Sequence, residues 1–119
     1  MLKKRVNSFR YAIAGIVNLI SSQANARIHL LVAVLVVAAG FYLEIDQTEW
    51  CLVSMAITSV LAAEGFNTAL EYLTDLVSPS HHPLAGKAKD VAAGAVLFTA
   101  IGAATVGALI FFPKILGII

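Results

Sequence analysis

Charged residues, cysteine and proline are all scarce in this sequence. Charged side chains make up 13% of the 119 residues, and the chain has one cysteine and three prolines. The single thiol, Cys51, excludes an intramolecular disulfide and a cysteine metal cluster. Eight Lys+Arg against seven Asp+Glu leave a formal charge of +1, so net charge gives no case for a nucleic-acid partner. Because no Gly/Ser-rich or Pro-rich linker divides the chain, we expect a single domain.

Apolar residues, in contrast, dominate the composition. They make up 60% of the chain, and the mean hydropathy is +0.88. A soluble domain has about a quarter of its residues charged. The excess apolar surface must therefore face lipid or partner chains, and the sequence predicts an integral membrane protein.

These apolar residues fall into four helical segments. Residues 1–22 place a cationic face, with Lys3 and Arg10, opposite apolar residues spaced three or four apart, which predicts an amphipathic helix lying in the headgroup plane. Residues 24–43, 50–77 and 85–112 are predicted to cross the membrane. The predicted fold class is an all-α membrane protein with an N-terminal surface helix and three transmembrane helices in an oligomeric helix bundle.

The positive charges predict an orientation in an inner membrane. Seven of the eight cationic residues flank the entry to the first span or precede the third, and Lys114 alone lies at the far end. The seven are Lys3, Lys4, Arg5, Arg10, Arg27, Lys87 and Lys89. By the positive-inside rule, the N-terminus and this face are cytoplasmic.

Four polar side chains form one stripe on the second span. At about 100° per residue, Glu64, Asn67, Glu71 and Asp75 fall within a sector of roughly 80°. Carboxylates inside an apolar helix are costly, so the stripe needs a polar or watery environment. At ~1.5 Å per residue from Trp50, Glu71 lies ~31 Å in, near the cytoplasmic interface.

Hard oxygen ligands at such a boundary suit Mg²⁺, and nearby lysines suit phosphate. The pattern is typical of phosphoryl transfer, with the attacking alcohol coming from the bilayer. The motif GxxxxGK[ST] is absent from the sequence, so a P-loop enzyme is not expected.

Simpler interpretations of these residues stay open at this point. The carboxylates could have a purely structural role, as hydrogen-bonding groups between neighbouring helices. Lys87 and Lys89 could be ordinary lysines at the membrane interface. The histidines His29, His81 and His82 have no HExxH or Cys/His set around them, so zinc is not expected. A face of small residues on the last span predicts close helix packing and an oligomer. It includes Gly94, Gly102 and Gly107.

Two motifs carry a family resemblance. EGFNTALEYLTDLV at residues 64–77 and HHPLAGKAKDVAAGAVL at residues 81–97 resemble the small prokaryotic diacylglycerol kinases, a family that includes undecaprenol kinases. SFRYAIAGI in the surface helix and ANARIH before the first span extend the likeness to nearly the whole chain. The resemblance implies one lipid kinase domain over residues 1–119. It also implies a homotrimer that uses Mg²⁺ to move the γ-phosphate of ATP to a lipid alcohol, with composite sites between subunits.

The resemblance implies roles for individual residues as well. Glu71 is similar to the principal metal-binding carboxylate, and Glu64 to the base near the lipid hydroxyl, with Asn67 in support. Lys89 is similar to the phosphate-contacting lysine, and Asp90 is its neighbour in the motif. The other implied nucleotide-binding positions are Tyr11, His82, Gly86 and Lys87.

One residue departs from the family pattern. Four residues before Arg27, the family has a glutamate that shares the metal, and this chain has Gln23. An amide keeps one neutral acceptor oxygen but lacks the charge that draws Mg²⁺. Gln23 therefore either weakens activity or marks a natural or engineered variant with altered metal binding.

The motifs are slightly closer to those of undecaprenol kinases than to those of diacylglycerol kinases. Two other classes of function stay as alternatives. A small ion-coupled transporter would use Glu64 as its coupling site. A non-catalytic membrane assembly protein would fit the small-residue face and the loss of an acid at Gln23.

Overall fold

The computed structural model describes residues 1–117, which form four α-helices joined by short turns. α1 spans Leu2–Ser22, α2 Ala24–Tyr42, α3 Gln47–Val77 and α4 Pro83–Ile115. The last three are each long and apolar enough to cross a bilayer. The predicted class, an all-α protein with three apolar helices of membrane-spanning length, is therefore confirmed.

Local sequence sets where α3 and α4 begin. Asp46 precedes α3, and its Oδ1 accepts a hydrogen bond from the backbone N–H of Glu49 at 2.8 Å, which is a typical N-cap. Pro83 stands in the first turn of α4, where a missing N–H leaves no intrahelical bond broken. The two helices therefore start at residues 47 and 83, before the predicted span boundaries at 50 and 85.

The far end of α4 also differs from expectation. The helix continues through Pro113 to Ile115, although the sequence placed its end at residue 112. Proline is tolerated there because the helix ends two residues later, so only the hydrogen bond to the carbonyl group of Leu109 is lost. Lys114 in this turn lies 3.4 Å from Glu49 Oε2, which ties the end of α4 to the start of α3.

The main cluster of buried apolar residues lies at one end of the molecule. α3 and α4 pack along much of their length, whereas α1 and α2 make fewer contacts with α3. The buried apolar cluster is formed where α2 ends, α3 begins and α4 ends. Its members are Ile45, Val53, Ile110 and Phe111. Many large apolar side chains stay exposed elsewhere, as expected of surfaces that face lipid or other subunits.

Candidate functional site

α3 carries the predicted polar stripe, which becomes more exposed toward the end of the helix. Glu64 is 2% exposed and Asn67 9%, whereas Glu71 is half-buried and Asp75 is exposed. Asn67 Nδ2 donates a hydrogen bond to Glu71 Oε1 at 3.3 Å. The stripe therefore leads from the bundle interior to the surface, and its middle members are in contact.

Two buried oxygens of the stripe have no hydrogen-bond partner within residues 1–117. They are Glu64 Oε2 and Asn67 Oδ1. A buried acceptor without a hydrogen bond lowers the free energy of unfolding by about 1–3 kcal/mol. Such atoms are rare in folded proteins and often lie at functional sites. Both atoms are open to a donor or a cation supplied from outside the chain.

Lys89 approaches this face from the first part of α4. Lys89 Nζ lies 2.5 Å from Asp75 Oδ1, a pair that the sequence analysis did not foresee. The ammonium group is also close enough to Glu71 to interact electrostatically, while Asp90 is exposed. Because the two paired side chains are 42% and 63% exposed, solvent screens their attraction and the pair contributes little to stability. Lys89 can therefore exchange Asp75 for a phosphate at little cost.

Gln23 forms the joint between α1 and α2. Its backbone is extended, with φ −111° and ψ 116°, and its Nε2 lies 3.4 Å from Ser22 Oγ. Across residues 1–117, no hydrogen bond joins Gln23 to Glu71. Arg27 holds the joint, because its Nη1 donates to two carbonyl oxygens in the last turn of α1, at 2.8 and 3.0 Å. A basic residue just beyond a helix C-terminus is the sequence signal for such a contact.

The other positions assigned to nucleotide lie on α1 and at the start of α4. Tyr11 is 71% exposed, Lys87 is exposed, and a Cβ added to Gly86 would meet nothing within 4 Å. His82 caps α4, since its Nδ1 accepts a hydrogen bond from the backbone N–H of Leu84 at 3.1 Å. That contact leaves Nε2 as the atom of His82 that can meet a ligand.

Sequence reasoning missed two polar contacts near the site. Tyr72 OH donates to Asn18 Oδ1 at 3.0 Å and lies 3.2 Å from Ser22 Oγ, which docks α1 against α3 beside Glu71. His29 of α2 faces the buried stripe, with Nε2 3.8 Å from Glu64 Oε2. Neither has a sequence signal, because the partners are far apart in the chain.

The oxygen donors of the stripe fit a magnesium ion that takes most of its ligands from substrate and water. Within residues 1–117, no three His, Cys, Asp or Glu side chains are grouped closely enough to hold a metal ion alone. Glu71 offers a half-buried carboxylate, and the unpartnered Asn67 Oδ1 lies one helical turn away. Magnesium sites in phosphoryl-transfer enzymes commonly use one or two carboxylates together with substrate phosphates.

Comparisons with known proteins show what this chain is similar to. The family model described as prokaryotic diacylglycerol kinase matches residues 10–111, which is most of the chain. The undecaprenol kinase of Bacillus subtilis is 38% identical over 114 residues, which cover 96% of this chain and 93% of that protein.

Two proteins named diacylglycerol kinase are also similar. The one from Synechocystis sp. is 41% identical over 112 residues, covering 93% of this chain and 64% of that protein. The one from Pseudomonas aeruginosa is 31% identical over 94 residues, covering 79% of this chain and 76% of that protein. Similarity therefore extends to relatives named for two different lipids.

Proposed function

Since this chain belongs to the prokaryotic diacylglycerol kinase family and is a lipid kinase, we propose that it transfers the γ-phosphate of ATP to the hydroxyl of a membrane lipid alcohol. The candidate alcohols are undecaprenol and diacylglycerol, for which its relatives are named. The observation that carries the proposal is the polar stripe of α3. A helix otherwise apolar enough to span a bilayer has three carboxylates and an amide on one face, beside a lysine of α4.

Each residue of the site has a proposed task. Glu71 holds Mg²⁺, and Asn67 orients the Glu71 carboxylate through their 3.3 Å hydrogen bond. When bound, the ion neutralises charge on the phosphates. Lys89 leaves Asp75 and contacts the transferred phosphate, while the open backbone at Gly86 gives room for the nucleotide.

The same proposal includes a location and an assembly. The enzyme lies in the bacterial inner membrane, with its N-terminus and its site on the cytoplasmic face. It works as a homotrimer, which would cover part of the exposed apolar surface of α2, α3 and α4. Measuring the mass of the purified protein in detergent, by light scattering or native mass spectrometry, tests the trimer directly.

The test of function is transfer from labelled ATP to each alcohol in separate assays. Four proteins are compared: the chain as it stands, Gln23→Glu, and Glu71→Ala in both of these backgrounds. We expect lipid monophosphate from the first two and a loss of about 100-fold or more with Glu71→Ala, because the principal charge on the metal is gone. Glu44→Ala removes a carboxylate from the α2–α3 turn and serves as the matched control with unchanged activity.

Two results would end the proposal. One is transfer to neither alcohol by the chain and by Gln23→Glu. The other is full activity of Glu71→Ala in the Gln23→Glu background, since the site would then work without its metal carboxylate. Activity with one alcohol alone identifies the substrate.

A further inference from the structure

Six large apolar residues share one side of α1, and the chain leaves that side uncovered. At about 100° per residue, they fall within a sector of roughly 100°. They are Leu2, Val6, Phe9, Ile13, Ile16 and Val17, each more than half exposed. A contiguous apolar surface of this kind marks a contact with another molecule or with lipid.

The opposite side of α1 contacts α3. Tyr72 OH donates a hydrogen bond to Asn18 Oδ1 at 3.0 Å and lies 3.2 Å from Ser22 Oγ. Asn18 and Ser22 lie about 150° and 170° around the helix from the centre of the apolar side. α3 therefore docks on the polar side of α1, and the apolar side is turned away from the other helices.

Three cations border the apolar side. Arg5 and Arg10 lie about 70° from its centre, one on each flank, and Lys3 lies about 90° from it. Their aliphatic stems can run along the apolar side while the charged groups reach outward. Lys4, in contrast, lies about 170° from the centre. An apolar side with cations at both edges is typical of a helix in the headgroup region of a bilayer.

These cations have no anionic partner within the described chain. The first acidic residue is Glu44, so residues 1–43 have three arginines, two lysines and no carboxylate side chain. Within the residues that the structure describes, both ion pairs formed by lysine join α3 to α4, and neither involves α1. The charge on α1 is therefore available to anions from outside the chain.

The segment that follows α1 holds it at the surface of the bilayer. Only Gln23 separates α1 from α2, which is long and apolar enough to span a membrane. Arg27, in the first turn of α2, donates to two carbonyl oxygens in the last turn of α1, at 2.8 and 3.0 Å. Lipid headgroups of the adjoining leaflet therefore lie within reach of α1, and anionic phosphate groups complement its charge.

We propose that α1 is a docking surface for a leaflet that contains anionic phospholipid. The apolar side enters the boundary of the acyl chains, and Lys3, Arg5 and Arg10 bind phosphate groups of the headgroups. Apolar contact gives α1 affinity for any bilayer, whereas the three cations make that affinity depend on lipid charge. An identical α1 from a second copy of the chain would bring only further cations to this surface. The docking requires neither ATP nor a lipid alcohol and goes beyond the proposed function.

Hydrogen exchange of the full chain in lipid nanodiscs tests this docking. One bilayer contains phosphatidylcholine alone, and the other contains phosphatidylcholine and phosphatidylglycerol at about 7:3. Each cation near an anionic surface contributes roughly fivefold to binding, so three contribute roughly 100-fold. We expect backbone amides of α1 to exchange about tenfold or more slowly in the anionic bilayer at low salt. At about 0.5 M NaCl the difference should fall below about threefold, because salt screens exposed charges.

Two triple variants separate charge from structure. Lys3→Gln/Arg5→Gln/Arg10→Gln removes the three charges, and the exchange of its α1 should differ by less than about twofold between the bilayers. Lys3→Arg/Arg5→Lys/Arg10→Lys is the matched control, since it changes the same side chains, keeps their charge and should keep the full difference. All rates are taken relative to those of the loop at residues 78–82, which correct for the lower pH at an anionic surface.

Phe9→Gln tests the apolar contact by itself. It should speed the exchange of α1 in both bilayers alike, because apolar burial does not depend on lipid charge. Exchange at the parent's rates in both bilayers would show that the apolar side does not enter lipid, and would overturn the proposal.

Two further results would overturn it. One is equal exchange of α1 in the two bilayers for the parent protein, which needs no variant to fold. The other is an undiminished difference in the variant with three glutamines, since the charges would then play no part. None of these measurements uses ATP, so failure of the docking and failure of the lipid kinase proposal are told apart.

Discussion

Four polar residues share one face of α3, yet each has a different environment. Glu64 is enclosed, Asn67 and Glu71 are bonded to each other, and Asp75 reaches solvent and pairs with Lys89. Enclosed groups need partners that stay fixed during a catalytic cycle, because exchange with water is costly there. Exposed groups can change partners at little cost. The outer members of the stripe can therefore change partners more easily than the inner ones.

A substitution at Gln23 should change the magnesium dependence of activity. Gln23→Glu adds a carboxylate at the joint between α1 and α2. We expect this change to lower the Mg²⁺ concentration needed for half-maximal activity by about tenfold. The reason is that a charged carboxylate oxygen binds Mg²⁺ far better than a neutral amide oxygen. Initial rates at limiting Mg²⁺ measure the effect. Gln47→Glu, the same change at the start of α3, is the control and should leave the magnesium dependence unchanged. Equal rates for Gln23→Glu and its parent would contradict the prediction.

Among the secondary-structure elements, α1 depends most on polar contacts for its position. It has no buried residues of its own, so apolar packing within one chain does little to fix it. Arg27 holds its last turn, and the hydroxyl of Tyr72 joins it to α3. Because Gln23 directly follows α1, the same contacts set where Gln23 lies relative to Glu71.

Removing the hydroxyl of Tyr72 should loosen α1. We expect Tyr72→Phe to raise the hydrogen-exchange rate of backbone amides in the last turns of α1 by roughly fivefold, which corresponds to a loss of about 1 kcal/mol for a hydrogen bond. Tyr42→Phe, at the other end of α2, is the matched control and should leave α1 unaffected. Unchanged exchange in α1 of Tyr72→Phe would show that other contacts hold the helix.

His82 has two roles at the start of α4, an observed one as the N-cap and a proposed one in nucleotide binding. As the N-cap, its side chain satisfies the backbone N–H of Leu84, and we expect His82→Ala to lower the free energy of unfolding by about 1 kcal/mol. His82→Asn should restore stability, since asparagine is a good N-cap. Both variants should have a higher KM for ATP than the parent, because both lack the imidazole group. Thermal unfolding and ATP titration of both variants separate the two roles. A His82→Asn variant as unstable as His82→Ala would refute the cap.

For the whole molecule, the main apolar cluster and the candidate site lie at opposite ends. The apolar core lies where α2 ends, α3 begins and α4 ends, with the Glu49–Lys114 pair beside it. The polar stripe and Lys89 lie at the other end of α3, where the buried residues include Glu64, Asn67 and Thr68. Glu64 Oε2 and Asn67 Oδ1, which have no hydrogen-bond partner among the described residues, therefore lie away from the apolar cluster.

A substitution in the core should separate these two properties. A Cβ at Gly40 would lie 2.8 Å from Trp50 Cη2 and 3.1 Å from Ile45 Cδ1. We expect Gly40→Ala to lower the free energy of unfolding by about 1–3 kcal/mol through overpacking, while kcat measured well below the unfolding temperature stays unchanged. Gly15→Ala meets no atom within 4 Å and should raise helix stability by up to about 1 kcal/mol. Loss of kcat in folded Gly40→Ala would mean that the two ends are coupled.

The sequence by itself determined the helical class, the number of apolar helices and the shared face of the α3 stripe. Those features depend on composition and on a periodicity of 3.6 residues, which are local properties of the chain. The helix ends were less well determined, since Asp46 and Pro83 extend α3 and α4 beyond their apolar cores and α4 continues through Pro113. The family motifs named Glu71 and Lys89, but not the Lys89–Asp75 pair.

Only the tertiary structure decided which of the polar residues are enclosed and which partners they meet. It placed His29 beside Glu64, and Tyr72 beside Asn18, in pairs that join different helices. Such contacts depend on how the helices rotate and cross, and no local pattern in the sequence encodes that geometry. The burial of Glu64, and the partial exposure of His29 beside it, follow from the packing of three helices together.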